Sequence, residues 1–94
     1  AMYLDKFKLT DRVAVITGGA RGIGFSTAEA LADAGARVII ADRDQNDIDA
    51  AIAQLALKNI NVDGIVMDVT DSARVAAVAD EIVAREARVD ILVN

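Results

Sequence analysis

Thr17–Gly24, read as Thr-Gly-Gly-Ala-Arg-Gly-Ile-Gly, constrains the chain more than any other stretch. It follows the apolar run Val13-Ala14-Val15-Ile16 and precedes a helix-forming stretch from Phe25 to Ala34. Strand, glycine-rich turn and helix is the order in which main-chain N–H groups face a phosphate. Glycine suits such a turn because it tolerates positive φ and lets a ligand come close to the backbone. Gly18, Gly22 and Gly24 are half of the six glycines in the chain. The simplest reading is a pyrophosphate cradle at a helix N-terminus. The bland alternative is a tight strand-to-helix connection without a ligand. A glycine triplet alone does not separate the two, but its place between a strand and a helix matches the dinucleotide fingerprint. A mononucleotide P-loop is excluded, because Phe25-Ser26 follows Gly24 where Lys-Ser/Thr is required.

The rest of the chain repeats this alternation. The first strand is Val13 to Thr17, nearly continuous in apolar side chains, as in a parallel strand covered on both faces. The first helix runs from about Gly22 to Ala34, with Ile23, Ala28, Leu31 and Ala34 near helical spacing and Gly35 as its left-handed C′ residue. Val38–Ala41 forms a second strand ended by Asp42. Asp44 is the expected N-cap of a second helix, with Asp47 in its first turn. Ile48, Ile52 and Leu55 form its apolar stripe, and Asn59 can end it. A third strand spans about Val62 to Met67, with Asp68 at its end. Thr70 or Asp71 caps a third helix that turns Val75, Val78, Ile82 and Val83 inward, and a fourth strand begins near Ile91. Three strand–helix repeats imply an α/β, doubly wound, Rossmann-like parallel sheet with right-handed crossovers and strand order 3-2-1-4.

Composition narrows the function classes. Ninety-four residues make one small domain at most, and 54% hydrophobic residues exclude disorder. No apolar run nears the ~18 residues of a membrane span, and Asp5, Lys6 and Lys8 interrupt any signal-peptide pattern, so a soluble, cytoplasmic protein is expected. Ala1 before Met2 reads as a cloning remnant. Without cysteine or histidine there is no disulfide framework, thiolate chemistry or His/Cys metal site. A net charge of −5 and few aromatics argue against a nucleic-acid surface.

Asp42 is the second chemical position, eighteen residues beyond Gly24. A ligand lying across the strand ends brings its ribose there, where a carboxylate accepts hydrogen bonds from both hydroxyls and repels a 2′-phosphate. Alone, it would be a surface aspartate ending a strand. Arg21 and Arg43 complicate the choice, since either could meet a phosphate. Arg21 could equally be solvated, and Arg43 could pair with a nearby carboxylate. Placing a phosphate beside the strand-end acid is costly, so NAD is favoured over NADP.

Taken together, Thr17-Gly18-x-x-x-Gly22-x-Gly24, Asp42, Asp68-Val69 and Asp90-Ile91-Leu92-Val93-Asn94 resemble the short-chain dehydrogenase/reductases, from Leu9 onward. The resemblance implies that 1–94 is the N-terminal, cofactor-binding part of a single NAD(P)-binding domain whose remainder lies elsewhere. It implies that the Gly18–Gly24 turn holds the pyrophosphate with backbone contacts from Arg21 and Ile23, and that Asp42 binds the adenosine ribose. Asp68 would meet the adenine amino group, Val69 would pack near the ring, and Asn94 would match the first Asn of an Asn-Asn-Ala-Gly motif beside the cofactor. Read without the family, Asp68 is a residue at the start of a helix. The implied activity is hydride transfer between NAD(H) and a secondary alcohol or ketone, by an intact protein that is a homo-oligomer, tetramer or dimer.

The chain departs from the family pattern in two places. Ala87 stands where glycine is common after the third helix, and a left-handed Ala costs about 1 kcal/mol more than Gly. The family's catalytic Ser, Tyr-x-x-x-Lys and Asn fall beyond a fourth strand. Tyr3 is the one tyrosine, with Phe7 rather than lysine four residues on, so no catalytic residue is assigned. As a free piece, the fourth strand would lack an outer neighbour, and poor stability is expected. Two rivals stay open: an S-adenosylmethionine-dependent methyltransferase, which typically has an acid where Ile16-Thr17 stand, and a non-catalytic dinucleotide-binding module.

Overall fold

The β-branched run Val13–Thr17 is buried along its whole length, which places it at the centre of a sheet. In the computed structural model, which describes residues 12–86 and 91–93, the elements follow in strict alternation. They are β1 (Val13–Thr17), α1 (Gly22–Asp33), β2 (Arg37–Asp42), α2 (Gln45–Ala56), β3 (Asp63–Val66), α3 (Ser72–Glu86) and β4 (Ile91–Val93). All pairings are parallel, in the order β3-β2-β1-β4. The chain therefore moves outward from β1 to β3 and then returns to the other side of β1. That reversal opens a crevice at the carboxyl ends of the strands, where ligands of such sheets sit. The register aligns Thr17 with Ala41 and Asp42 with Val66, so the exits of β1, β2 and β3 stand side by side.

Strand alternation divides the core into two layers. Ala14, Ile16, Val38 and Ile40 face Ala28 of α1 and Ile48, Ala51 and Leu55 of α2. Val13, Val15, Ile39 and Ala41 face Met67 and the α3 residues Val78 and Ile82. Two helices on one face and one on the other explain why β1 and β2 are apolar at almost every position. Burial of each large side chain, Ile16, Ile39 and Ile40 among them, contributes about 1.5–3 kcal/mol.

The helix ends follow local chemistry. Asp44 caps α2, its carboxylate accepting from the N–H groups of Asn46 and Asp47. Gly35 (φ 103°) ends α1 in a Schellman arrangement, its N–H donating to the Ala32 carbonyl and that of Ala36 to the Leu31 carbonyl. Asn59 (φ 62°) plays the same part after α2, with Asn59 N–H on Ala56 O and Ile60 N–H on Leu55 O.

Several sequence expectations are corrected. Ile23 does not pack inward; it is 87% exposed, because it lies about 140° around α1 from Ala28, the helix's buried position. Val83 is 48% exposed, since the row Val75, Val78 and Ile82 already fills the contact and Val83 lies one step around the helix. In α2, Ala51 joins Ile48 and Leu55 in the core, and Ile52 is only half-buried at its border. Of the two candidate caps of α3 it is Asp71 that accepts from Arg74 N–H, at 3.0 Å; Thr70 donates instead. The second strand extends to Arg37 and Asp42, and the third is shorter than expected. The lead-in with Tyr3, Leu4, Phe7 and Leu9, together with Ala87 and Asn94, lies outside the described residues.

Candidate functional site: a cleft at the strand exits

Beyond Thr17 the β1–β2 ladder continues for one more bond, from Gly18 N–H to the Ala41 carbonyl at 2.7 Å. The chain then turns sharply into α1 with Gly18 at φ 66° and Gly22 at φ 56°. A Cβ on either would meet nothing within 4 Å, so these two glycines answer to backbone conformation and leave an open face. Gly24 and Gly19 answer to space instead. A Cβ on Gly24 would fall on the Gly18 carbonyl, and one on Gly19 would stand 2.7 Å from Ile16 O and 3.1 Å from Ile40 Cγ2. Gly19 was missed by the sequence reasoning. Its one signal is that it directly follows another glycine at a strand exit.

The loop delivers the start of α1 without a cap. Arg21 occupies the N-cap with extended backbone (φ −144°), its side chain makes no capping hydrogen bond, and no acid stands in the first turn. The first bond back into the helix is from Phe25 N–H to the Arg21 carbonyl, 3.2 Å. Gly22, Ile23 and Gly24 thus present N–H groups that an anion can accept at the positive end of the helix dipole.

Asp42 stands opposite at the end of β2, 7% exposed. Its Oδ1 accepts from Arg43 N–H (2.8 Å) and its Oδ2 from Ala20 N–H in the glycine loop (3.3 Å). The Asp42 carbonyl takes the Met67 N–H at 2.7 Å, which ties the exit of β3 to the same point. Each carboxylate oxygen keeps capacity for another donor. Gly18, Asp42, Arg43, Met67, Asp68, Val69 and Thr70 line one cleft of about 200 Å³. Gly22 and Ile23 do not line it; they border a shallow groove on α1 with Ser26, Thr27, Ala30 and Leu31. Arg21 leans toward α2, its Nε 3.5 Å from Asp47 Oδ2. Val69 is 59% exposed at the rim.

Asp68 forms an Asx-turn in which its Oδ1 accepts from both the Thr70 hydroxyl (2.7 Å) and the Thr70 N–H (2.9 Å). The hydroxyl bond chiefly, then the N–H bond, hold the Asp68 carboxyl below the ordinary 3.8; partial desolvation opposes them and the Arg43 guanidinium adds a smaller pull downward. The folded value lies below the unfolded one. Its contribution to stability is therefore present above pH 3.8 and lost as pH falls through the folded value. Thr70→Val removes the leading cause, so carboxyl NMR titration should show Asp68 moving up toward 3.8. An unmoved titration would rule out the hydroxyl as that cause.

Among the described residues no group of three or more acidic, His or Cys side chains is placed to hold a metal ion, and no helix is long and apolar enough to cross a membrane. Residues 12–94 match the short chain dehydrogenase family model. The chain belongs to that family. Galactitol 2-dehydrogenase of Rhizobium johnstonii is 44% identical over 92 residues, covering 98% of this chain and 35% of that protein. The crystal structure of 2-keto-3-deoxy-D-gluconate dehydrogenase from Streptococcus agalactiae matches with a TM-score of 0.88 and 41% identity, covering 97% of this chain and 34% of that one. The Pseudomonas aeruginosa RhlG/NADP active-site complex matches with a TM-score of 0.82 and 38% identity, over 94% of this chain and 34% of that one. The chain thus spans about a third of the length of these relatives. Short-chain dehydrogenases work with a nicotinamide cofactor. The residues present here fit one: an open glycine face, an uncapped helix start and a cleft with a buried carboxylate lie together at the carboxyl ends of β1 and β2.

Proposed function

We propose that this chain is the adenosine- and pyrophosphate-binding part of an NAD(H)-dependent oxidoreductase that interconverts a secondary alcohol and a ketone, with a sugar alcohol or sugar as substrate. The observation that carries the NAD reading is Asp42, a carboxylate 7% exposed that lines the cleft and is held by loop and strand N–H groups. In this reading Gly18, Arg21, Gly22, Ile23 and Gly24 offer backbone to the diphosphate, and Asp42 accepts from both ribose hydroxyls. Arg43 borders the ribose, Asp68 accepts from the adenine amino group and Val69 covers the ring; Asn94, outside the described residues, keeps the role that the family resemblance implies for it. A dinucleotide held there would bring a nicotinamide able to donate or accept hydride; these residues bind its adenosine and diphosphate. The substrate class is supported by the names of the galactitol and 2-keto-3-deoxy-D-gluconate dehydrogenases. The complete protein is read as a cytoplasmic homo-oligomer, on family resemblance.

Calorimetric titration of the complete protein with NAD(H), NADP(H) and S-adenosylmethionine tests this. Tighter binding of NAD(H) is expected. Preference for NADP(H) would overturn the role of Asp42, and binding of S-adenosylmethionine alone would overturn the whole reading.

A further inference from the structure

Arg43 lines the Asp42 cleft, and Arg21 directly follows Ala20, whose N–H is bonded to Asp42 Oδ2, so a phosphate on the ribose 2′-oxygen would stand within side-chain reach of both guanidiniums. Arg43 already contributes to the field at Asp68. Arg21 is engaged more directly: its Nε faces Asp47 Oδ2 at 3.5 Å, with the two side chains 69% and 36% exposed. This contact joins the N-cap residue of α1 to the first turn of α2, so it runs between the two elements that follow β1 and β2. Asp47 is held where it is. Its N–H donates to Asp44 Oδ1 at 3.2 Å, within the cap that starts α2.

Resting on the reading of the Asp42 cleft as the ribose site, we propose that Asp47 is a positioning residue for cofactor choice. It keeps the Arg21 guanidinium in an ion pair that a 2′-phosphate would have to break. Asp42 and Asp47 then disfavour the phosphorylated dinucleotide by different routes. Asp42 opposes the phosphate by its own charge inside the cleft, whereas Asp47 withholds the cation that would compensate it. An unphosphorylated ribose makes no demand on that guanidinium, so its binding does not involve the pair.

The size of the effect follows from exposure. An ion pair in water contributes little, and releasing one partner to a phosphate changes affinity by about threefold. Salt screens it, because both groups are solvated.

The test is a double-mutant cycle in the complete protein, with dissociation constants for NAD+ and NADP+ measured by calorimetry at low and at ~0.3 M salt. Asp47→Asn is expected to tighten NADP+ by about threefold and leave NAD+ unchanged. Asp47→Glu, which keeps the charge, should restore wild-type behaviour. In an Arg21→Gln background the Asp47→Asn gain should vanish, and high salt should shrink it in the Arg21 protein. An equal gain with and without Arg21 would overturn the proposal, as Asp47 would then act by its own charge. So would an unchanged NADP+ affinity in Asp47→Asn. Those failures differ from failure of the underlying reading, which appears in the wild-type protein itself as a preference for NADP+ or as no binding of either dinucleotide.

Discussion

Asp42→Ala is expected to weaken NAD+ binding to the complete protein by about a hundredfold while leaving NADP+ binding unchanged or tighter. The estimate comes from two hydrogen bonds to a charged acceptor, each contributing about 1.5–3 kcal/mol, partly offset by water in the enlarged cleft. The sign for NADP+ is opposite because the carboxylate that accepts from hydroxyls also repels a phosphate. The substitution has a second consequence. The N–H groups of Ala20 and Arg43 lose their acceptor, so the glycine loop should loosen as well. Asp42→Asn separates the two effects. Its amide oxygen can keep one loop contact without the charge, and an intermediate loss of about tenfold is expected. Calorimetry on the two variants, with thermal unfolding alongside, decides the matter. Wild-type NAD+ affinity in Asp42→Ala would remove Asp42 from the site.

The second large effect concerns two glycines of one loop that a sequence motif treats alike. Gly24→Ala drives a methyl group onto the Gly18 carbonyl, a backbone atom that cannot swing aside. About 3 kcal/mol of destabilisation is expected, at the upper end of overpacking costs. Gly18→Ala places its methyl in open space and meets only the penalty of φ 66°, about 1 kcal/mol. The same pair should rank differently in binding. Gly18 borders the Asp42 cleft, so its substitution should lower NAD+ affinity more than stability. Urea unfolding of both variants in the complete protein checks the order. Equal losses of stability would mean that the close approach of Gly24 to Gly18 is not what glycine is needed for.

Features set by neighbours along the chain were legible without a structure. The Asp44 cap, the left-handed ends at Gly35 and Asn59, and the turn of Gly18 and Gly22 each involve groups a few residues apart. A one-dimensional pattern carries all of that. The unbroken apolar runs of β1 and β2 likewise announce strands covered on both faces, because each alternate residue must find its own layer. Asp42 was recognisable as the acid that ends the second such run.

Register and helix docking decided the rest. Gly19 is required first by the Ile16 carbonyl, 2.7 Å from where its Cβ would stand, with Ile40 of the neighbouring strand closing the space further at 3.1 Å, and Gly24 because the loop folds back upon the helix. Ile23 and Val83 belong to apolar-looking rows, yet one lies off the face that carries Ala28 and the contact is already filled before the other. The Oδ2 of Asp42 finds Ala20 twenty-two positions earlier in the chain, and Arg21 meets Asp47 on the next helix. Spacing along a chain determines which residues share a face. Which groups meet across faces depends on where the parallel strands align, and that alignment exists only once the layers have packed.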